Sequence, residues 1–143
     1  MSLVLDASLT LAWFFKDERT PAADAVLTEV AEKGAVVPAL WRLEVANALQ
    51  VALRRKRIDA AFRDSALTQL SRLSISADPD TDAYAWTIIL QLADRFQLTL
   101  YDAAYLELAA RRRLPLATLD RELRDAAAAL GIAVLGVDPV VKP

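Results

Sequence analysis

The chain has 143 residues, with 17 basic against 19 acidic side chains for a net charge of −2, and 55% of it is hydrophobic. That length suits one domain with its own core, and the apolar share exceeds the roughly 45–50% usual in soluble domains, which points to surface covered by another chain. Cysteine and histidine are both absent, which excludes disulfides, thiolate or imidazole metal sites and histidine-based triads. Hydrolytic chemistry is left to carboxylates, hydroxyls, amines and oxygen-ligated ions such as Mg²⁺ or Mn²⁺.

In chain order, residues 3–5 form a short apolar run ending at Asp6, which predicts a buried strand followed by a turn. Residues 8–16 and 20–33 read as helices, the second with Pro21 at an early position and Gly34 at its end. Residues 35–37 predict a second strand stopped by Pro38, 40–55 and 59–73 two helices, and 74–76 a third strand. After the turn at Asp78-Pro79-Asp80 come helices over 82–96 and 101–112. Residues 116–118 predict a fourth strand, 119–129 a helix, 132–135 a fifth strand, and 137–143 a frayed tail.

Five short apolar strands separated by about seven helices, with no hairpin signal, describe an α/β fold: one domain over 1–143 with a parallel sheet flanked by helices. Ligands in such sheets bind beyond the carboxyl ends of the strands, where Asp6 and Asp120 fall. No apolar run is long enough to span a bilayer. The start MSLVLDAS lacks the features of a secretory signal, so a cytoplasmic location without a membrane partner is expected.

Glu44 is the most informative acid. On a helix stepping about 100° per residue, Leu40, Ala48 and Val51 lie within about 40° of it and Trp41 within about 60°. A lone carboxylate in an apolar stripe suffers desolvation worth several kcal/mol. It therefore predicts either a buried pair with an arginine or the floor of a metal site, in which Asn47 is placed to hydrogen-bond. Asp102 shares a face with Tyr105, Leu106 and Ala109, and Thr99-x-x-Asp102 has the form of a capping box. Asp120 and Asp6 also stand where N-caps occur. Two basic runs, Arg54-Arg55-Lys56-Arg57 and Arg111-Arg112-Arg113, suit helix ends, and are candidates to guide phosphates.

The sequence resembles the PIN-domain family, and more narrowly the VapC toxins of bacterial toxin–antitoxin pairs. The resemblance rests on VLDAS at 4–8, LWRLEVANAL at 40–49, LTLYDAAYLELAARRRLPLATLD at 98–120 and the RELRDAAAALGIAVL that follows. It implies a five-stranded parallel sheet in the order 3-2-1-4-5 and a catalytic pocket made of Asp6, Glu44, Asp102 and Asp120. Thr118 occupies the small hydroxyl position before the fourth acid, and Asp125 reads as a solvated helix position.

Four crowded carboxylates need cations or raised pKa values. The expected cofactor is therefore Mg²⁺ or Mn²⁺, held by Asp6 and Asp102, with Asp120 direct or through water and Glu44 orienting water. The implied activity is endonucleolytic hydrolysis of single-stranded or looped RNA, leaving a 5′-phosphate and a 3′-hydroxyl. The implied partners are a VapB-like antitoxin and a second copy of the chain in a homodimer. Trp13, Phe14 and Phe15, with Val26 and Val30, are either ordinary core or part of the antitoxin groove.

The alternatives are a PIN nuclease of RNA processing, a receiver-like phosphoacceptor domain and a non-catalytic binding module. Leu5 before Asp6, and no lysine between Lys56 and Lys142, count against the receiver. Ser8, where a dehalogenase-type phosphatase needs a second aspartate, counts against that class.

Overall fold

The computed structural model describes residues 2–138. Five strands, β1 (Val4–Leu5), β2 (Ala35–Val37), β3 (Ile75–Ala77), β4 (Leu116–Ala117) and β5 (Val134–Leu135), form one sheet in the order β3-β2-β1-β4-β5. Every pairing is parallel, with Val4 opposite both Val36 and Leu116. The strands are short because each contributes only a buried apolar kernel before a turn takes over. Leu3, Val4, Leu5, Val36 and Leu116 have no solvent exposure. Gly34, with φ of +74°, lets β2 start against the chain entering β3, since a Cβ there would stand 2.7 Å from the Ser74 carbonyl oxygen.

Eight helices are found among the described residues: α1 (Ala7–Ala12), α2 (Pro21–Lys33), α3 (Trp41–Arg54), α4 (Ala60–Ser71), α5 (Thr81–Tyr84), α6 (Ile88–Phe96), α7 (Leu100–Arg112) and α8 (Arg121–Ala129). The expected single helix over 82–96 is two, because Thr87 leaves the helical region at φ −119°, ψ −97° and the chain restarts at Ile88. The helix expected over 8–16 stops at Ala12, and the Trp13 indole donates 2.9 Å to the Ala23 carbonyl at the start of α2. Strand β5 begins two residues late, since the Ile132 amide still closes α8 through the Ala127 carbonyl. Of the expected tail at 137–143, residues 139–143 lie outside the described residues.

The core gathers between the sheet and α7, in which the seven residues from Ala103 to Ala109 are all buried. Trp13, Val26 and Val30 are buried members of this core, with Phe14 and Phe15 half-buried against it, as clustered apolar residues at helical spacing favour. Because all strands run in parallel, their carboxyl ends share one edge. Asp6 leaves β1 there, and Thr118 with Asp120 leaves the adjacent β4.

Candidate active site

Asp6 is buried beyond the end of β1, and its Oδ2 accepts hydrogen bonds from Ser8 Oγ and Thr118 Oγ1, each at 2.6 Å. The two hydroxyls are tied back in turn: the Leu119 amide donates to Ser8 Oγ and the Asp120 amide to Thr118 Oγ1, both at 3.1 Å. The turns after β1 and β4 are thereby fixed to each other through one carboxylate oxygen. Asp120 caps α8, accepting from the Leu123 amide at 2.9 Å. Thr99 caps α7 by accepting from the Asp102 amide at 3.1 Å, which is one half of the expected capping box; the return bond from the Thr99 amide to the Asp102 carboxylate is not made among the described residues.

Glu44 is half-buried and has no arginine partner among the described residues. Its Oε1 instead accepts 2.5 Å from the hydroxyl of Tyr105, a fully buried side chain on α7. The core-facing stripe of α3 is Trp41, Val45, Leu49 and Ala52. The stripe bearing Glu44 is offset by one residue, and its Ala48 and Val51 line an open groove. Asn47 is exposed and makes no side-chain hydrogen bond among the described residues.

Four acids from four elements thus stand at the carboxyl ends of the strands, and the environments of Asp6, Glu44 and Asp102 all favour the protonated form. Burial pushes the Asp6 carboxyl up, against the two hydroxyl bonds, and the charge of Asp120 adds to the rise. Burial also raises Glu44 over the opposing bond from Tyr105, with Asp6 and Asp102 repelling its charge. Asp102 is pushed up to about 6 by burial and then by the charges of Asp6 and Asp120. Burial, followed by the charges of Asp6 and Glu44, holds the Tyr105 hydroxyl in its neutral, donating form.

The donor set is all oxygen and overloaded with negative charge, which fits a hard divalent cation. Among the described residues no three acids converge into a ready-made cage. A magnesium-like ion does not require one, since it keeps several waters and binds through one or two carboxylates.

The second basic run does not serve this site. Arg111 and Arg112 both pair with Asp78, a buried carboxylate at the end of β3, at 2.5 and 3.0 Å. Arg111 also reaches Glu107 at 2.7 Å. Their guanidinium groups neutralise buried acids and are not available to phosphates. Arg113 is exposed and ends α7 in a left-handed conformation. Asp125 is exposed on α8, as expected. Ser8 and Tyr105 are the site residues that the four-acid reading passed over. Their signals were a hydroxyl two residues after Asp6, and a tyrosine one turn along from Asp102 whose burial demands a partner for its hydroxyl.

Comparison with known proteins agrees with this fold. The family described as PIN domain matches residues 3–129. The chain is 31% identical over 125 residues to Ribonuclease VapC3 of Pyrobaculum aerophilum, covering 87% of this chain and 94% of that protein. The crystal structure of PAE2754 from the same organism superposes with a TM-score of 0.69 at 27% identity, covering 94% of this chain and 90% of the other. VapC20 of Mycobacterium tuberculosis, a sarcin-ricin-loop-cleaving toxin, gives a TM-score of 0.65 at 15% identity, covering 96% and 100%. VapBC2 of Rickettsia felis, bound to a DNA fragment from its promoter, gives 0.64 at 14% identity with the same coverage. The last two speak for the fold alone.

Proposed function

The chain belongs to the PIN-domain family, and from that premise we propose that it is a divalent-metal-dependent endoribonuclease, the toxin of a VapBC-type toxin–antitoxin pair. The observation that carries this reading is the placement of Asp6, Glu44, Asp102 and Asp120 at the carboxyl ends of the strands with no ion-pair partner among the described residues, which leaves carboxylates repelling one another. The similarity to Ribonuclease VapC3 supports RNA as substrate.

Asp6 and Asp102 would hold a Mg²⁺ or Mn²⁺ ion, with Asp120 contributing directly or through water. Such an ion would supply a lowered pKa for water and stabilisation of charge on the phosphorane-like transition state and the leaving oxygen. Ser8 and Thr118 keep the Asp6 carboxylate in one orientation by occupying its Oδ2. Tyr105 does the same for Glu44 through Oε1, so that Glu44 accepts a proton-bearing water on the side facing the substrate. In-line attack leaves a 5′-phosphate and a 3′-hydroxyl. No residue of the site calls on the ribose 2′-hydroxyl as nucleophile, so RNA is selected by binding, with single-stranded or looped segments flexible enough to enter.

A VapB-like antitoxin and a second copy of the chain are the proposed partners, and the cytoplasm is the proposed location. No helix of the described residues is long and apolar enough to cross a membrane. The exposed apolar residues Trp86 (90% exposed), Ile88 and Leu90 around the start of α6 supply surface for a homodimer.

Incubation with a panel of RNAs in Mg²⁺, Mn²⁺ or chelator, followed by mapping of the ends, tests the activity. Metal-dependent cuts with 5′-phosphate ends are expected. Cleavage that persists in chelator, or cyclic phosphate ends, would overturn the proposal.

A further inference from the structure

A groove of about 390 Å³ opens beside the acids, between α1, the second half of α3 and the turn before α8. Ser8 and Asp120 form the end it shares with the catalytic edge. The half-buried Leu11, Phe15, Ala48 and Val51 give it an apolar floor, and the exposed Arg55 and Arg57 line it as well. We infer that this groove is a nucleotide subsite, which seats one unpaired RNA nucleotide beside the scissile phosphate. The base lies on the apolar floor and its flanking phosphates meet Arg55 and Arg57. The inference rests on the ribonuclease reading above and adds to it where the substrate lies.

Three observations carry it. A groove that starts at Ser8 and Asp120 is the extension of the site itself, so a strand leaving the acids runs into it. An apolar surface edged by arginines is what single-stranded nucleic acid uses, with bases packing on the floor and cations tracking the backbone. The arginine wall is also partly organised in advance: the Arg57 guanidinium carbon lies 4.7 Å over the Phe15 ring, whose centroid is 6.1 Å from that of Phe62. Among the described residues Arg55 has no ion-pair partner, and Arg57 has only an exposed 3.6 Å contact with Asp17. Such a pair is weak in solvent and readily exchanged for phosphate. Two cations here also offset the repulsion that four carboxylates present to an incoming polyanion. Glu18, on the rim, opposes phosphate and supplies a control of opposite sign.

The test uses the whole protein and a fluorescein-labelled, mixed-sequence single-stranded RNA decamer, with anisotropy read in EDTA so that no cleavage occurs. Combining Arg55→Ala with Arg57→Ala is expected to weaken binding about tenfold. It should lower the slope of log affinity against log salt by about 1.4, at about 0.7 for each phosphate left without its arginine. Arg55→Lys keeps the slope, and Glu18→Gln tightens binding. Ala48→Gln, which places a polar group on the floor, is expected to raise KM and change the nucleotide preferred next to the cut, with kcat within about twofold. Thermal melts establish that each variant is folded; the two arginines and Glu18 are exposed.

If the wild type cuts RNA but these variants leave affinity, salt slope and cut-site preference unchanged, the subsite is overturned and the groove falls to a protein partner. If the wild type cuts no RNA with either metal, the ribonuclease reading fails and the subsite with it.

Discussion

The two ends of α7 meet buried carboxylates in opposite ways. At its C-terminal end, Arg111 and Arg112 close on Asp78, whose side chain has no exposure. Burial alone would raise that carboxyl, but the two guanidinium groups outweigh it and hold Asp78 below the usual carboxylate range. At the N-terminal end, burial of Asp102 and the charges of Asp6 and Asp120 outweigh its hydrogen bond with Thr99, and its pKa climbs to about 6. One helix therefore carries a carboxylate cluster completed by the chain's own cations and another left open. A buried acid with its cation supplied locks the fold in place, and a group of acids without one is poised for a cation from outside.

The largest expected effect falls on the open end. Asp6→Asn removes a charge at the centre of the site yet leaves a carbonyl oxygen for Ser8 and Thr118. RNA cleavage in Mg²⁺ should fall by more than the roughly 10–100-fold typical of residues that only support metal ligands, with the fold intact by circular dichroism. Activity equal to wild type would remove Asp6 from the mechanism.

The next effect falls on the closed end. Asp78→Ala strands two arginines that are themselves only 22% and 29% exposed, and denaturant melts should show a loss of about 3 kcal/mol. Cleavage per folded molecule should stay near wild type. An unchanged melting midpoint would mean that the ion cluster is surface decoration.

These two predictions depend on features of unequal legibility. The strands and the capping roles of Thr99 and Asp120 are legible because each is encoded locally, as an apolar run before a turn or a hydroxyl or acid three residues before an amide, whereas the strand order and the set of four acids come from the family resemblance. Partnerships across the fold were hidden. Arg111 and Arg112 looked like a solvent-facing basic run, because nothing near position 111 announces an aspartate 33 residues earlier. Glu44 was legible as an acid on an apolar stripe, but its partner was expected to be an arginine or an ion. The tyrosine hydroxyl that holds it lies 61 residues away. The break at Thr87 was invisible too, since the apolar pattern of 82–96 continues across it.

Tyr105→Phe sharpens the comparison at smaller scale. The ring is kept and only the bond to Glu44 is lost, so kcat should drop about tenfold with KM unchanged. A change confined to thermal stability would show that Tyr105 only packs.

The smallest effect is on stability against pH. In metal-free protein the folded chain holds the Asp102 proton up to about 6, against 3.8 ordinarily. Its contribution is therefore full below pH 3.8 and lost as pH rises through 6. Asp6 and Glu44 act in the same direction. Asp78 acts in the other, contributing above pH 3.8 and losing that contribution as pH falls through its depressed pKa. Asp102→Asn should accordingly raise the metal-free melting temperature at pH 7. After discounting for a half-exposed site, the gain is about 1 kcal/mol, or roughly 2–4 °C. The gain should vanish near pH 4, and a loss of stability at pH 7 would contradict the repulsion.

The most direct measurement is the melting temperature of chelator-stripped protein at pH 7 as Mn²⁺ is added. A saturable rise in the wild type, abolished by Asp6→Asn and by Asp102→Asn, is predicted. A wild-type curve that does not move, or a rise that survives in both variants, would contradict the claim that the four acids await a divalent ion.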